Sequence, residues 1–161
     1  MPYDGPIGFA RITSLIMNVF VGVVLGLVFM VLTYDPSSAS AGSLARGFLQ
    51  SLVMSVPVGY AISDFVPSMR IANSVADALR LKRGLLRHCV TCCIFGTANV
   101  TLIFSSCMTI MLLKDAGVMG VANAIAAMWA PAVASGVVAI ILLLPVAQGV
   151  ASRVSGFSPE P

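Results

Sequence analysis

Charge is what this chain has least of. Nine Lys/Arg and six Asp/Glu make up 9% of its 161 residues, against about 25% in soluble domains. A water-facing surface cannot be assembled from so few ionic groups. Histidine is nearly absent: His88 stands alone, which excludes a bis-His haem within one protomer and any two-His metal centre. There is no G-x-S-x-G element, no close carboxylate pair and no phosphate-binding glycine loop. The usual carriers of hydrolytic and nucleotide chemistry are therefore missing, and neither an enzyme nor a bound cofactor is expected. The alternating segments of about 10 residues that mark a membrane β-barrel are missing too.

What fills the chain is apolar: 58% of residues are hydrophobic and the mean hydropathy is +1.00. A helix needs about 20 mostly apolar residues to cross the hydrocarbon core. Four stretches qualify: Ile12–Thr33, Phe48–Met69 (interrupted only by Asp64), Cys89–Leu113 and Val121–Val150. The expected fold is an all-α integral membrane protein, one membrane domain of four transmembrane helices. Ala39-Ser40-Ala41 before Gly42 has the small residues of a signal cleavage site. The apolar run ahead of it exceeds the 7–15 residues of a signal core, so the first segment is expected to be retained.

The basic residues set the expected orientation. Arg11 precedes the first stretch; Arg70, Arg80, Lys82, Arg83 and Arg87 fill the link between the second and third; Arg153 follows the fourth. Arg46 and Lys114 alone fall on the opposite side. Both termini and the central link are thus expected in the cytoplasm, with the net charge of +3 acting as a topology signal and not as a nucleic-acid footprint. The opposite side has only two short connections, residues 34–47 and the tight "KDAGVMG" of 114–120. In the central link, Arg70, Asn73, Ser74, Asp77, Arg80, Gly84 and Arg87 recur at helical spacing, with Val75, Leu79 and Leu86 on another face beside Ala72 and Ala76. This predicts a basic amphipathic helix at the cytoplasmic surface, either a dock for anionic lipid or a partner, or a connector that fixes topology.

A faint repeat runs through the chain. The stretch from Asn18 aligns with that from Asn99 at an offset of 81, and the stretch from Phe65 with that from Leu143 at 78, pairing Pro67 with Pro145. Each half is one hairpin, so the expected arrangement is two tandem hairpins, 11–75 and 89–154, joined by a basic linker and related by a parallel pseudo-twofold. The ending Pro67-Ser68-Met69-Arg70, with Val66 before it, resembles that of a bacterial two-helix membrane domain catalogued as domain of unknown function 2798, which also occurs in tandem. In the second half Pro145 fits and Gln148 stands where the arginine would be; Pro57, and Trp129 with Pro131, loosely echo the family's further proline and tryptophan. The resemblance implies a fold and no activity.

Few residues could carry chemistry. Asp64 lies six residues before Arg70, about 9 Å inside the boundary at 1.5 Å per residue. An intramembrane acid is a functional candidate, so it is read as a proton or cation site with Asn18 and Asn99, as a buried interhelical polar contact, or as a boundary acid near water. Asn18, Arg87 and His88 are its possible partners. Asn18 and Asn99, matched in the repeat, suit interhelical hydrogen bonds. "HCVTCC" brings His88, Cys89 and Cys92 within a helical turn, an incomplete set for zinc, so packed free thiols are the plainer reading. Pro57, Pro67, Pro131 and Pro145 predict kinks that free backbone carbonyls. Gly22 with Gly26, and Ala132 with Gly136, have the spacing of close helix crossings. Two functions remain: a structural or accessory component in a membrane assembly, with the bilayer, a second copy or another membrane protein as partner, or a small transporter or channel using Asp64.

Overall fold

The computed structural model describes residues 5–32, 40–66, 68–82 and 84–157. Pro67, Arg83 and the Asp35-Pro36 and Ala39 part of the connection lie outside the described residues. Four helical segments follow in order: α1 (Gly5–Leu32), α2 (Ala41–Phe65), α3 (Ser68–Ala78) and α4 (Leu85–Ser155). Among the described residues there is no strand. Two helices, Gly5–Val31 and Leu85–Ser155, are long and apolar enough to cross a membrane. The bent pair Gly42–Phe65 and Ser68–Ala78, which meet at 55°, makes up to three. With so many large apolar side chains on the outside, including Val31, Val53, Leu142 and Val154, this is the surface of a membrane protein.

The helices run further than the apolar stretches. α2 begins at Ala41, inside the expected 34–47 connection, because Ser40 and Ser43 cap it reciprocally. The Ser43 N–H donates to Ser40 Oγ at 3.1 Å and the Ser40 N–H to Ser43 Oγ at 3.0 Å. A Ser-x-x-Ser pair thus does the work usually given to Ser-x-x-Glu. The amphipathic helix of the link is correspondingly shorter than its polar spacing suggested. It stops at Ala78, where Leu81 N–H bonds Ala76 O and Arg80 N–H bonds Asp77 O. Arg80 takes φ 52 in the left-handed position of this Schellman-type ending. The face of α3 that packs inward is made of small residues, Ser68, Ala72 and Ala76; the larger Ile71 and Val75 point out.

α4 contains 71 residues, which as a straight rod would reach about 107 Å at 1.5 Å per residue. It does not run straight. Gly117 has φ 63 and ψ −179 in an otherwise helical segment, a conformation that an L side chain rarely adopts. The expected turn over 114–120 thus narrows to one glycine. The two arms, 85–116 and 118–155, lie against each other. Trp129 Nε1 donates to Thr101 Oγ1 at 3.0 Å, and His88 Nε2 meets Ile141 O at 3.2 Å. A Cβ on Gly136 would stand 2.6 Å from Val100 Cγ2, and one on Gly96 3.0 Å from Val137 Cγ2. The partners climb on one arm as they descend on the other, so the arms are antiparallel. Met17, Val21 and Leu25 of α1 close the core against Val100, Ile103 and Phe104 of one arm and Val133, Ile140 and Leu144 of the other.

α1 meets α2 through small residues. A Cβ on Gly22 would lie 2.5 Å from Ser55 Oγ, and one on Gly26 3.1 Å from the Phe48 ring. The tightest point is Gly59, where an added Cβ would be 2.5 Å from Asn18 Oδ1 and 3.0 Å from Ile103 Cδ1. Three helices converge there, and dispersion between closely approaching backbones replaces the hydrophobic effect that lipid cannot supply. Gly59→Ala is therefore expected to cost about 1–3 kcal/mol through overpacking, read from unfolding of the purified protein in mixed micelles. Gly47→Ala, on the same helix with nothing within 4 Å, should be neutral or stabilising by up to about 1 kcal/mol from helix propensity. Equal stability of the two variants would contradict the convergence.

Candidate functional site

Most of the buried polar side chains gather at one end of the bundle. Asn18 is 2% exposed and Asn99 4%. Both line a cavity of about 350 Å³ together with Thr13, Ser14, Ser63, Ser68, Arg70 and Gln148, while Phe9, Met17, Met69, Phe95 and Leu144 form its apolar walls. Every helix contributes: α1 supplies one wall, Ser63 comes from the end of α2, Arg70 from α3, and Asn99 and Gln148 from the two arms of α4. Along α1 the cavity extends from Phe9 to Asn18, about 13 Å at 1.5 Å per residue.

The polar groups in it are unequally satisfied. Asn18 Nδ2 donates to Ser14 Oγ at 3.2 Å and to Ser63 Oγ at 3.4 Å, and Ser63 Oγ donates to Gly59 O at 2.8 Å. This short relay ties α1 to α2. By contrast, Asn99 Oδ1 and Thr13 Oγ1 are buried with no hydrogen-bond partner, and among the described residues no carboxylate pairs with Arg70. A buried unpaired acceptor costs about 1–3 kcal/mol, so this cavity is built with unmet hydrogen-bonding capacity. It adjoins a second, wider cavity of about 730 Å³ that shares Met69, Leu144 and Gln148 and is otherwise lined by link-side residues such as Asn73, Asp77, Arg87, His88 and Thr91. The polar interior therefore faces the arginine-rich link.

Asp64 does not join this constellation. It is exposed and is not among the lining residues, whereas its neighbour Ser63 is. Each partner expected for it is engaged elsewhere: Asn18 by Ser14 and Ser63, Arg87 by Asp77 at 2.6 Å and by Leu81 O at 3.3 Å, His88 by Ile141 O. The proposed trio of Asp64, Asn18 and Asn99 thus splits into two buried amides and an outlying acid. Of the basic residues of the link, Arg70 lines the cavity, Arg87 is half-buried in its ion pair, and Arg80 and Lys82 are exposed.

His88 has a structural occupation. Pro145 has no N–H to give to Ile141 O, four residues back, and His88 Nε2 fills that vacancy from the other arm. The Cys92 sulfur lies against the same ring, 3.8 Å from Nδ1 and 3.7 Å from Nε2. Cys89, Cys92, Cys93 and Cys107 are all free thiols, and among the described residues no three His, Cys, Asp or Glu side chains gather as a metal site. Pro57 and Pro131 sit within helices as well. Ser135 Oγ turns back onto Pro131 O at 2.7 Å, so this hydroxyl, too, is satisfied within its own helix.

Thr13, Ser14, Ser63 and Gln148 carry no motif that marks them in the sequence. One signal was present: Ser51, Ser55, Gly59 and Ser63 recur every fourth residue, a small polar stripe that places Ser63 on the face toward α1. Fold and site together define a helical membrane protein with an internal polar cavity. Comparison with family models, curated proteins and solved structures gives no match to this chain.

The His88–Pro145 relation is open to a double-mutant cycle. His88→Leu is expected to destabilise the protein by about 1 kcal/mol. In a Pro145→Ala background, where residue 145 regains the N–H that Ile141 O lacks, the same change should cost at least about 0.5 kcal/mol less. Identical costs in both backgrounds would remove the compensation.

Proposed function

We propose that this chain is a four-span protein of the plasma (inner) membrane, two tandem helical hairpins with both termini and the arginine-rich link in the cytoplasm. In this reading it serves as a structural or accessory component of a membrane assembly. The four spans are supported by the break at Gly117 and the packing of the two arms on each other. The tandem arrangement is supported by Asn18 and Asn99, which the repeat pairs and which line one cavity. Kinship with the domain of unknown function 2798 rests on the Pro-Ser-Met-Arg ending, with looser echoes at Pro145, Pro57 and Trp129 with Pro131.

The observation that carries the accessory role is the position of Asp64. A proton- or cation-coupled carrier needs its acid on the solute path, and here the described lining of the polar cavity holds amides, hydroxyls and one arginine without a carboxylate. The bundle turns its apolar side chains outward to the bilayer, to another membrane protein or to a second copy.

Reporter fusions test the topology. A reporter active only inside the cell is expected to work when fused after residue 82 and to fail after residue 117, and an export-dependent reporter should show the reverse; the opposite pattern overturns the orientation. In proteoliposomes, proton flux is expected to be the same for wild type and Asp64→Asn, and to match protein-free vesicles. Flux that falls at least about tenfold on that substitution would restore the transporter reading.

A further inference from the structure

We propose that the cavity between Asn99 and Arg70 is a binding site for a hydroxylated organophosphate of the glycerophosphate class. Its two ends ask for opposite chemistry. At the inner end Asn99, 4% exposed, is on the lining, and its Oδ1 is buried with no donor in the protein. A ligand O–H or N–H satisfies it, which an anion made of acceptors alone does not. Thr13, on the same lining, has a buried Oγ1 that is likewise unpartnered. At the mouth the Arg70 guanidinium, without a carboxylate partner among the described residues, offers a planar fork of donors suited to phosphate oxygens. Gln148 belongs to the same lining. The cavity therefore selects a molecule that is anionic at one end and hydroxylated at the other.

Size and walls agree with this class. About 350 Å³ lies at the lower end of small-molecule sites, which run about 300–1,000 Å³. Phe9, Met17, Met69, Phe95 and Leu144 accommodate the carbon skeleton. Asp64 and Asp77, the acids nearest in sequence to Arg70, are not on this lining, and Asp77 is bound to Arg87. No negative charge on the described lining opposes a phosphate.

Two sources supply the same chemistry: a glycerol-headed phospholipid from the surrounding leaflet, or a free glycerophosphate from the aqueous side through the adjoining cavity. Only the choice of leaflet rests on the proposed topology. Binding in micelles does not, so failure of the site and failure of the topology are read from different experiments.

The full chain, purified in detergent and stripped of lipid, is titrated with short-chain phosphatidylglycerol, phosphatidic acid, phosphatidylcholine and free glycerol 3-phosphate, with binding followed by native mass spectrometry and thermal shift. Phosphatidylglycerol is expected to bind at least about tenfold more tightly than phosphatidic acid, which lacks the hydroxylated arm, and than phosphatidylcholine, which lacks the net charge. Glycerol 3-phosphate binding as tightly as the lipid identifies a solute site, and binding at least about tenfold weaker than the lipid identifies a lipid-headgroup site. Arg70→Gln should weaken binding of both anionic lipids about tenfold. Asn99→Leu should erase the preference for phosphatidylglycerol over phosphatidic acid, and Thr13→Val, a substitution of equal size, should narrow that preference even if Asn99→Leu fails to fold. Equal binding of the three lipids by the wild type together with no binding of glycerol 3-phosphate, or a preference untouched by Thr13→Val, would overturn the proposal.

Discussion

One backbone conformation decides whether this chain has an interior. Gly117, at φ 63, reverses a helical segment that would otherwise be a rod several times longer than the roughly 30 Å of a hydrocarbon core. Because it folds back, Gly96 meets Val137, Val100 meets Gly136, and Trp129 reaches Thr101. α1 then has two arms to pack against, and the core of Met17, Val21, Ile103 and Ile140 exists. The cavity follows from the same reversal, since Asn99 and Gln148 come from opposite arms.

Within that frame the controlling cost is the unsatisfied polar group. Lipid offers no hydrogen bonds, so serines and threonines in the long helices bond back to carbonyls of their own helix, as Ser63 does to Gly59 O and Thr109 to Ser105 O. The carbonyl that Pro145 leaves unbonded is taken by a histidine from the neighbouring arm. Against this satisfaction, Asn99 Oδ1, Thr13 Oγ1 and Thr91 Oγ1 stand out as unpartnered among the described residues, and their residues belong to the linings of the two adjoining cavities. The exceptions coincide with the open space. That coincidence separates a polar site from a scatter of buried hydroxyls.

The solvent class was legible because lipid selects for composition: long uncharged stretches leave no other reading. Helix existence was legible for the same reason, while helix ends were not. α2 starts at a Ser-x-x-Ser pair whose capping role depends on geometry that hydropathy does not register. α3 stops where Arg80 takes a left-handed conformation usually left to glycine, so the polar spacing of the link overstated its length. At the site, Asn18 and Asn99 could be picked out as rare amides in apolar helices. Asp64 drew attention for the same rarity, but helical phase separates it from the cavity: Ser63 points in and Asp64 out. The role of His88 required knowing that residue 141 of the other arm would be its neighbour, which only the tertiary fold supplies.

The reversal at Gly117 is the claim on which core, cavity and span count all rest, and an interspin distance tests it directly. Thr97 and Val138 are both exposed, one on each arm. In a background with the four native cysteines replaced, spin labels at these positions are expected to lie within about 25 Å, since packed helix axes are about 8–10 Å apart. A distance of about 60 Å, the length of 41 helical residues at 1.5 Å each, would mean that α4 runs straight and would contradict the account.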